Sequence, residues 1–154
     1  MPDLVAKAEM LIRRPVETVF EAFVDPAITS RFWFSRGSAR LEPGTSVRWD
    51  WEMYGFSVDA KVKRFEPNAL LVVEWMGYGF PTDITWVFSA RRDGTTFVSV
   101  TNSGFQGSIA EVARLVADAT EGFAFVLAGA KALLEHGVEL NLVRDRFPDG
   151  LPKG

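Results

Sequence analysis

The sequence predicts an α+β domain, in which a curved antiparallel β-sheet wraps around one long C-terminal helix and two short helices follow the first strand. Three observations predict it. Apolar residues recur at every second position near the N-terminus and through about sixty residues of the middle of the chain. They recur at helical spacing in two blocks, around residues 15–34 and from residue 108 to residue 136. Short turns rich in Gly, Pro, Asn and Asp join the consecutive strands, which makes an antiparallel meander.

Each element has its own signal. Ala6, Ala8, Met10 and Ile12 alternate with Val5, Lys7, Glu9 and Leu11, a half-buried strand ending near Ile12. Pro15 suits a first helical turn, and Val16, Val19, Phe20 and Phe23 give a short amphipathic helix over Pro15–Val24. Asp25-Pro26 is an N-cap followed by proline at the first helical position, which predicts a second helix over Pro26–Phe34. After the Glu42-Pro43-Gly44-Thr45 turn, Val47, Trp49, Trp51 and Met53 alternate with Arg48, Asp50 and Glu52. Tyr54-Gly55-Phe56 turns this strand into Val58, Ala60 and Val62. Leu70–Met76 is almost wholly apolar, which predicts a central strand covered on both faces. A loop over Gly77–Pro81, a strand carrying Ile84, Trp86 and Phe88, a hairpin at Arg92-Asp93-Gly94 and a strand carrying Val98, Val100 and Asn102 complete the sheet. Ser108 with Glu111 forms a capping box, and Gly137 fits a left-handed C-cap. The helix between them would be about 43 Å long if unbroken, with Gly122 as a site for a kink.

Composition narrows the function. The chain has 154 residues, 47% of them hydrophobic, which is enough for one domain with a real core. Its aromatic residues are 13 Phe and 5 Trp against only 2 Tyr, more than a core needs and suited to lining a cavity. One domain is expected over residues 1–143, with a loose tail over 144–154. A net charge of −3 does not favour nucleic acid or an anionic membrane surface. The absence of cysteine excludes disulfides, thiolate metal sites and cysteine nucleophiles, and a single histidine does not suit a zinc centre. No cofactor is expected. Met1–Met10 does not read as a signal peptide, and no apolar run is long enough to span a bilayer, so a cytoplasmic protein is expected.

The inward-facing residues are the candidates for a ligand wall. They are Trp49, Trp51, Met53 and Val58 from the first meander strands, then Val73 and Trp75. Ile84, Trp86 and Phe88 follow, then Val98, Val100 and Asn102, with Phe123 and Leu127 facing them from the helix. Ordinary core packing explains the apolar members equally well. Asn102 is the best polar candidate, because a buried amide needs a partner, and Thr96 is a weaker one. Tyr54, Tyr78 and Glu74 are candidates for steering protons, though alternation turns Glu74 outward. His136 suits a general base, but its place in the last helical turn suits a cation facing the helix dipole better. No Gly-x-Ser-x-Gly elbow is present, and Gly77-Tyr78-Gly79 is followed by no Gly-Lys-Ser/Thr. The alternating Arg48, Asp50 and Glu52 belong to a solvated face, with Lys61 and Lys63 as cross-strand partners.

The order of elements and the local residues resemble the START-like or Bet v 1-like helix-grip superfamily, often labelled SRPBCC. Within it the chain resembles homologues of the C-terminal domain of the Hsp90 ATPase activator. The resemblance rests on Pro15-Val16-Glu17-Thr18-Val19-Phe20-Glu21-Ala22-Phe23, Asp25-Pro26 with Phe32-Trp33, Leu41-Glu42-Pro43-Gly44-Thr45 and Leu71-Val72-Val73-Glu74-Trp75. Thr101-Asn102-Ser103-Gly104-Phe105 and the Gly122–Glu135 helix complete it, over about residues 3–137. The family often has histidine where Asn102 stands and tryptophan where Phe123 stands. Full-length Hsp90 activators carry a further N-terminal domain not contained in these 154 residues, so co-chaperone activity is not implied. The superfamily shares no catalytic residue. The resemblance therefore implies a cavity for a small hydrophobic or aromatic molecule in a monomer or homodimer. A cyclase or hydratase acting in that cavity, and an interaction protein with a self-filled core, are the alternatives.

Overall fold

The computed structural model describes residues 3–152. β1 (Ala6–Ile12) leads into α1 (Val16–Val24) and α2 (Pro26–Thr29). Six strands follow: β2 (Arg36–Gly37), β3 (Ser46–Trp51), β4 (Phe56–Glu66), β5 (Leu70–Trp75), β6 (Thr82–Ala90) and β7 (Thr96–Ser103). α3 (Ile109–His136) and α4 (Leu142–Arg146) complete the order. The seven strands form one antiparallel sheet in the order β1-β7-β6-β5-β4-β3-β2. The α+β architecture expected from periodicity is the one observed. No helix among the described residues is long and apolar enough to cross a membrane.

Alternation decides which face of the sheet is buried. Val47, Trp49 and Trp51 of β3 point inward, as do Leu71, Val73 and Trp75 of β5, Ile84, Trp86 and Phe88 of β6, and Val98, Val100 and Asn102 of β7. Burying the charged set Arg48 and Asp50 instead would cost on the order of several kcal/mol per unpaired ion, so that set faces water. The register shift between Val62 and Arg64 is an irregularity of the kind that bends a strand. α3 lies across the inward face and buries Ala119, Phe123, Val126, Leu127, Ala130 and Leu133. Its capping box and its left-handed Gly137 cap are both present.

The two ends of the sheet are fixed differently. At the β1 end, the side chain of Glu135 accepts from the Arg13 N–H at 2.8 Å and from Lys131 Nζ at 2.7 Å, while Lys131 also donates to the Leu11 carbonyl at 2.7 Å. Arg14 Nη2 donates to the Glu135 carbonyl at 2.8 Å. These bonds pin the end of β1 to the last turns of α3. β2, the other edge, is only two residues long, which leaves little open strand for unwanted pairing.

Several expectations require correction. α2 has four residues and stops at Thr29, so Phe32, Trp33 and Phe34 lie in a turn. A continued helix would have spread three consecutive side chains over more than half its circumference, whereas the turn buries all three. β3 ends at Trp51, and Glu52–Tyr54 form a 3-10 turn closed by Gly55 at φ 60°, so Met53 leaves the strand pleat. β5 is covered on one face only: Leu70, Val72 and Glu74 are half-buried. α3 runs through Gly122 without a break. Asp50 is bonded by Arg48 of its own strand and by Ser57, and Lys63 reaches Asp83 on β6, so the expected pairing of Lys61 and Lys63 with the β3 charges does not form. The expected loose tail begins inside α4, which is docked by side-chain bonds described below.

Candidate functional site

Trp33 is the hub of the aromatic core. Its ring centroid lies 4.9 Å from Trp49, 5.8 Å from Trp51, 5.9 Å from both Trp75 and Trp86, and 5.8 Å from Phe123. On one side of this hub, Phe23 reaches Trp86 and Phe88, and Phe20 meets Phe65 and Phe88 edge to face. That side is filled. On the other side the walls diverge and leave a cavity of about 190 Å³.

Trp33 and four other parts of the chain build this cavity. The end of β3 and the turn after it supply Trp51, Tyr54 and Phe56. The end of β5 and its loop supply Trp75, Gly77 and Tyr78. α3 supplies Asp118, Ala119, Gly122, Phe123, Phe125 and Val126. The segment at and beyond α4 closes the remaining side with Val143, Arg146, Phe147 and Leu151. Tyr54 holds that segment by donating its hydroxyl to the Val143 and Arg144 carbonyls, and its ring meets Phe147 edge to face. Arg146 donates from Nε to Glu121 at 2.8 Å and from Nη2 to the Asp118 carboxylate at 2.8 Å and its carbonyl at 3.1 Å. The guanidinium also lies 4.8 Å above the Phe147 ring.

The cavity is aromatic with a few polar groups at one edge, as small-molecule sites commonly are. Tyr78 packs against Trp75 and Phe105. Burial pushes its phenol pKa up, the Asp118 carboxylate adds to this, and Arg146 opposes it. Tyr78 therefore keeps its proton and can donate a hydrogen bond. Among the described residues no group of three or more His, Asp or Glu is placed to hold a metal ion.

Of the residues the sequence nominated, Trp51, Trp75 and Phe123 meet at the cavity, together with Tyr54 and Tyr78. Trp49, Val58, Val73, Ile84, Trp86, Phe88, Val98, Val100 and Leu127 sit in the packed core instead. Met53 lines a second, more polar cavity of about 150 Å³, on the far side of Trp33 and Val143. Asn102 is fully buried: its Nδ2 donates to Thr82 Oγ1 at 3.0 Å and to the Asp83 carbonyl at 2.9 Å, while Oδ1 has no protein partner. Trp75 Nε1 and Trp86 Nε1 are likewise without one. Thr96 donates to the Arg14 carbonyl at 2.9 Å. Glu74 points outward beside Lys61. His136 is 71% exposed at the end of α3, away from the cavity.

Residues 13–135 match the family of Activator of Hsp90 ATPase homolog 1-like proteins. The chain belongs to that family. No curated protein matches it. Among solved structures of this fold, the protein SSP2350 from Staphylococcus saprophyticus is 33% identical, with 89% of this chain and 96% of that one covered and a TM-score of 0.77. DynU16, a protein of the dynemicin biosynthetic locus, is 26% identical at a TM-score of 0.76, and the match spans 90% of this chain but 49% of that one. The Aha1 dimer from Colwellia psychrerythraea has a TM-score of 0.74 at 20% identity, covering 87% of this chain and 98% of that one, a likeness of fold. The family match ends at residue 135, so it does not include the α4 segment that walls the cavity.

Sequence reasoning missed two parts of the site. The predicted helix over Pro26–Phe34 includes Trp33, whereas the structure sets that residue at the hub. Val143, Arg146 and Phe147 were assigned to or beside a loose tail. Gly122 carried a usable signal. A glycine inside an unbroken amphipathic helix marks a close approach, and a Cβ there would stand 3.1 Å from Arg146 Nη1.

Proposed function

We propose that this protein holds a small hydrophobic or aromatic molecule in the cavity between the sheet, α3 and the α4 segment, and acts by carrying, sequestering or sensing it. The observation that carries the reading is a contrast. The same core is filled on the Phe20 and Phe23 side and open beside Trp51, Trp75 and Phe123. A self-filled interaction protein would have closed that space with its own tryptophans. Monomer and homodimer both fit this reading.

Native mass spectrometry of freshly purified protein, followed by a thermal-shift screen of aromatic and lipid-like compounds, tests it. A co-purifying molecule, or a melting-temperature rise that grows with ligand concentration, is expected. Absence of both across the panel would sink the binding reading and favour a protein partner. The same spectra give the oligomeric state.

A cyclase or hydratase is the second reading. The observation that favours it is Tyr78, a phenol on the cavity wall that can donate a hydrogen bond to a bound carbonyl and polarise it. Turnover of a bound compound, lost in Tyr78→Phe with binding retained, would establish it over simple carriage.

A further inference from the structure

Arg146 is unlike the other residues around the cavity. Its side chain is only 15% exposed, and among the described residues it is the one cation on a wall made chiefly of aromatic rings. Its hydrogen bonds leave from Nε and Nη2, to Glu121 and to Asp118. Among the described residues none of them uses Nη1, which carries two further N–H donors. Nη1 lies against the bare backbone of Gly122, where a Cβ would come within 3.1 Å of it. Gly122 itself lines the cavity. The Tyr78 hydroxyl, still protonated, is a second donor on the same wall.

Charge limits what these donors can recognise. The one positive charge of Arg146 faces two carboxylates, Asp118 and Glu121, so the cluster has no positive charge to spare. An anionic ligand would be repelled by those carboxylates, through water-screened charge because both are about half exposed, and would gain little from a guanidinium already paired twice. A neutral acceptor avoids the repulsion. A carbonyl or hydroxyl oxygen accepts from a charged donor without bringing a charge of its own.

We infer that the cavity selects neutral aromatic molecules bearing a hydrogen-bond acceptor, and that Arg146 Nη1, exposed to the cavity over Gly122, is the anchor that reads the acceptor. This rests on the ligand-binding reading above and specifies its ligand class.

Three probes of closely similar shape test it on the full chain by titration: 2-ethylnaphthalene, 2-acetylnaphthalene and 2-naphthoate. The ketone is expected to bind about tenfold more tightly than the hydrocarbon, the scale of one hydrogen bond from a charged donor. The carboxylate is expected to bind more weakly than the ketone. Gly122→Ala keeps the helix, since alanine favours it, and places a methyl group over Nη1. It should bring the ketone-to-hydrocarbon ratio close to one. Arg146→Leu should do the same. Equal binding of ketone and hydrocarbon by the natural chain, or a ratio that survives Gly122→Ala, overturns Arg146 as the anchor. Tighter binding of the carboxylate than of the ketone overturns the selection for neutral ligands. Binding of none of the three overturns the ligand-binding reading itself, so the two failures are distinguishable.

Discussion

Replacing Trp86 with alanine separates a packed core from a ligand wall. Trp86 is 1% exposed and is clasped between Phe23, at 6.0 Å between centroids, and Trp33, at 5.9 Å. Removing an indole from such a site costs roughly 3–5 kcal/mol, because its neighbours are held by other contacts and close the void only in part. One feature reduces this. Trp86 Nε1 has no protein partner, so the native state already carries an unmet donor whose burial costs about 1–3 kcal/mol. The net loss should therefore lie near the low end, about 3 kcal/mol. For a chain of this length that lowers the melting temperature by roughly 6–12 °C. Trp86→Phe removes the unmet donor while keeping a ring, so it should cost less than about 1.5 kcal/mol. Urea unfolding of both variants, alongside probe titration, gives the answer. A Trp86→Ala protein within about 1 kcal/mol of the natural chain but unable to bind ligand would refute the division into filled core and open cavity.

Three other outcomes are expected. Glu135→Gln should destabilise the protein by about 1–3 kcal/mol at neutral pH, since it weakens bonds from the Arg13 N–H and Lys131 to a side chain that is 7% exposed. Burial works against the charge of Glu135, but those donors outweigh it and hold its pKa below the ordinary 4.5. The stabilisation is thus complete above pH 4.5 and disappears as the pH falls through the lower folded value; a Gln penalty that persists unchanged in acid would contradict this. Gly77→Ala places a Cβ 2.6 Å from the Trp75 indole and must shift that ring, which lines the cavity, so tryptophan fluorescence and probe affinity should both change; unchanged spectra and affinity would place the ring elsewhere. Asn102→Ala forfeits two hydrogen bonds but also an unpartnered Oδ1, so its stability cost should stay near 1 kcal/mol, and a loss several times larger would mean that Oδ1 has a partner the protein does not supply.

The sheet was legible because only one face of it is buried. With one set of alternate residues carrying Trp49, Trp51, Trp86 and Val100 and the other carrying Arg48, Asp50 and Thr101, a single register satisfies burial. The ends of α3 were legible because capping is local: Ser108 and Glu111 are three residues apart, and Gly137 needs no distant partner. The site was less legible for the converse reason. Arg146 pairs with Glu121 and Asp118, 25 and 28 residues earlier, and no spacing rule links them. Its neighbourhood, Phe147-Pro148-Asp149-Gly150, has the composition of a frayed terminus. The inward residues were legible as inward, but periodicity does not tell a residue that meets a neighbour from one that meets a void. Trp51 and Trp49 share a strand and a face, yet only Trp51 reaches the cavity.

That difference follows from where Trp33 stands. The turn that ends α2 sends Trp33 into the middle of the sheet face, where it touches four other tryptophans and Phe123. Everything on the α1 side of it is held by core packing, and its loss would be read as unfolding. On the far side, the wall formed by α4 has no buried residue of its own. It is held by the Tyr54 hydroxyl and by Arg146 at Asp118 and Glu121. Segments with few buried apolar contacts open at a small fraction of the global unfolding free energy. The cavity is thus bounded on one side by the most stable part of the protein and on the other by one of its least stable parts. Displacing α4 would widen the cavity while the sheet, α1 and the Trp33 hub stay in place. The same segment carries Arg146, so displacing α4 would take from the cavity the group proposed above as its anchor.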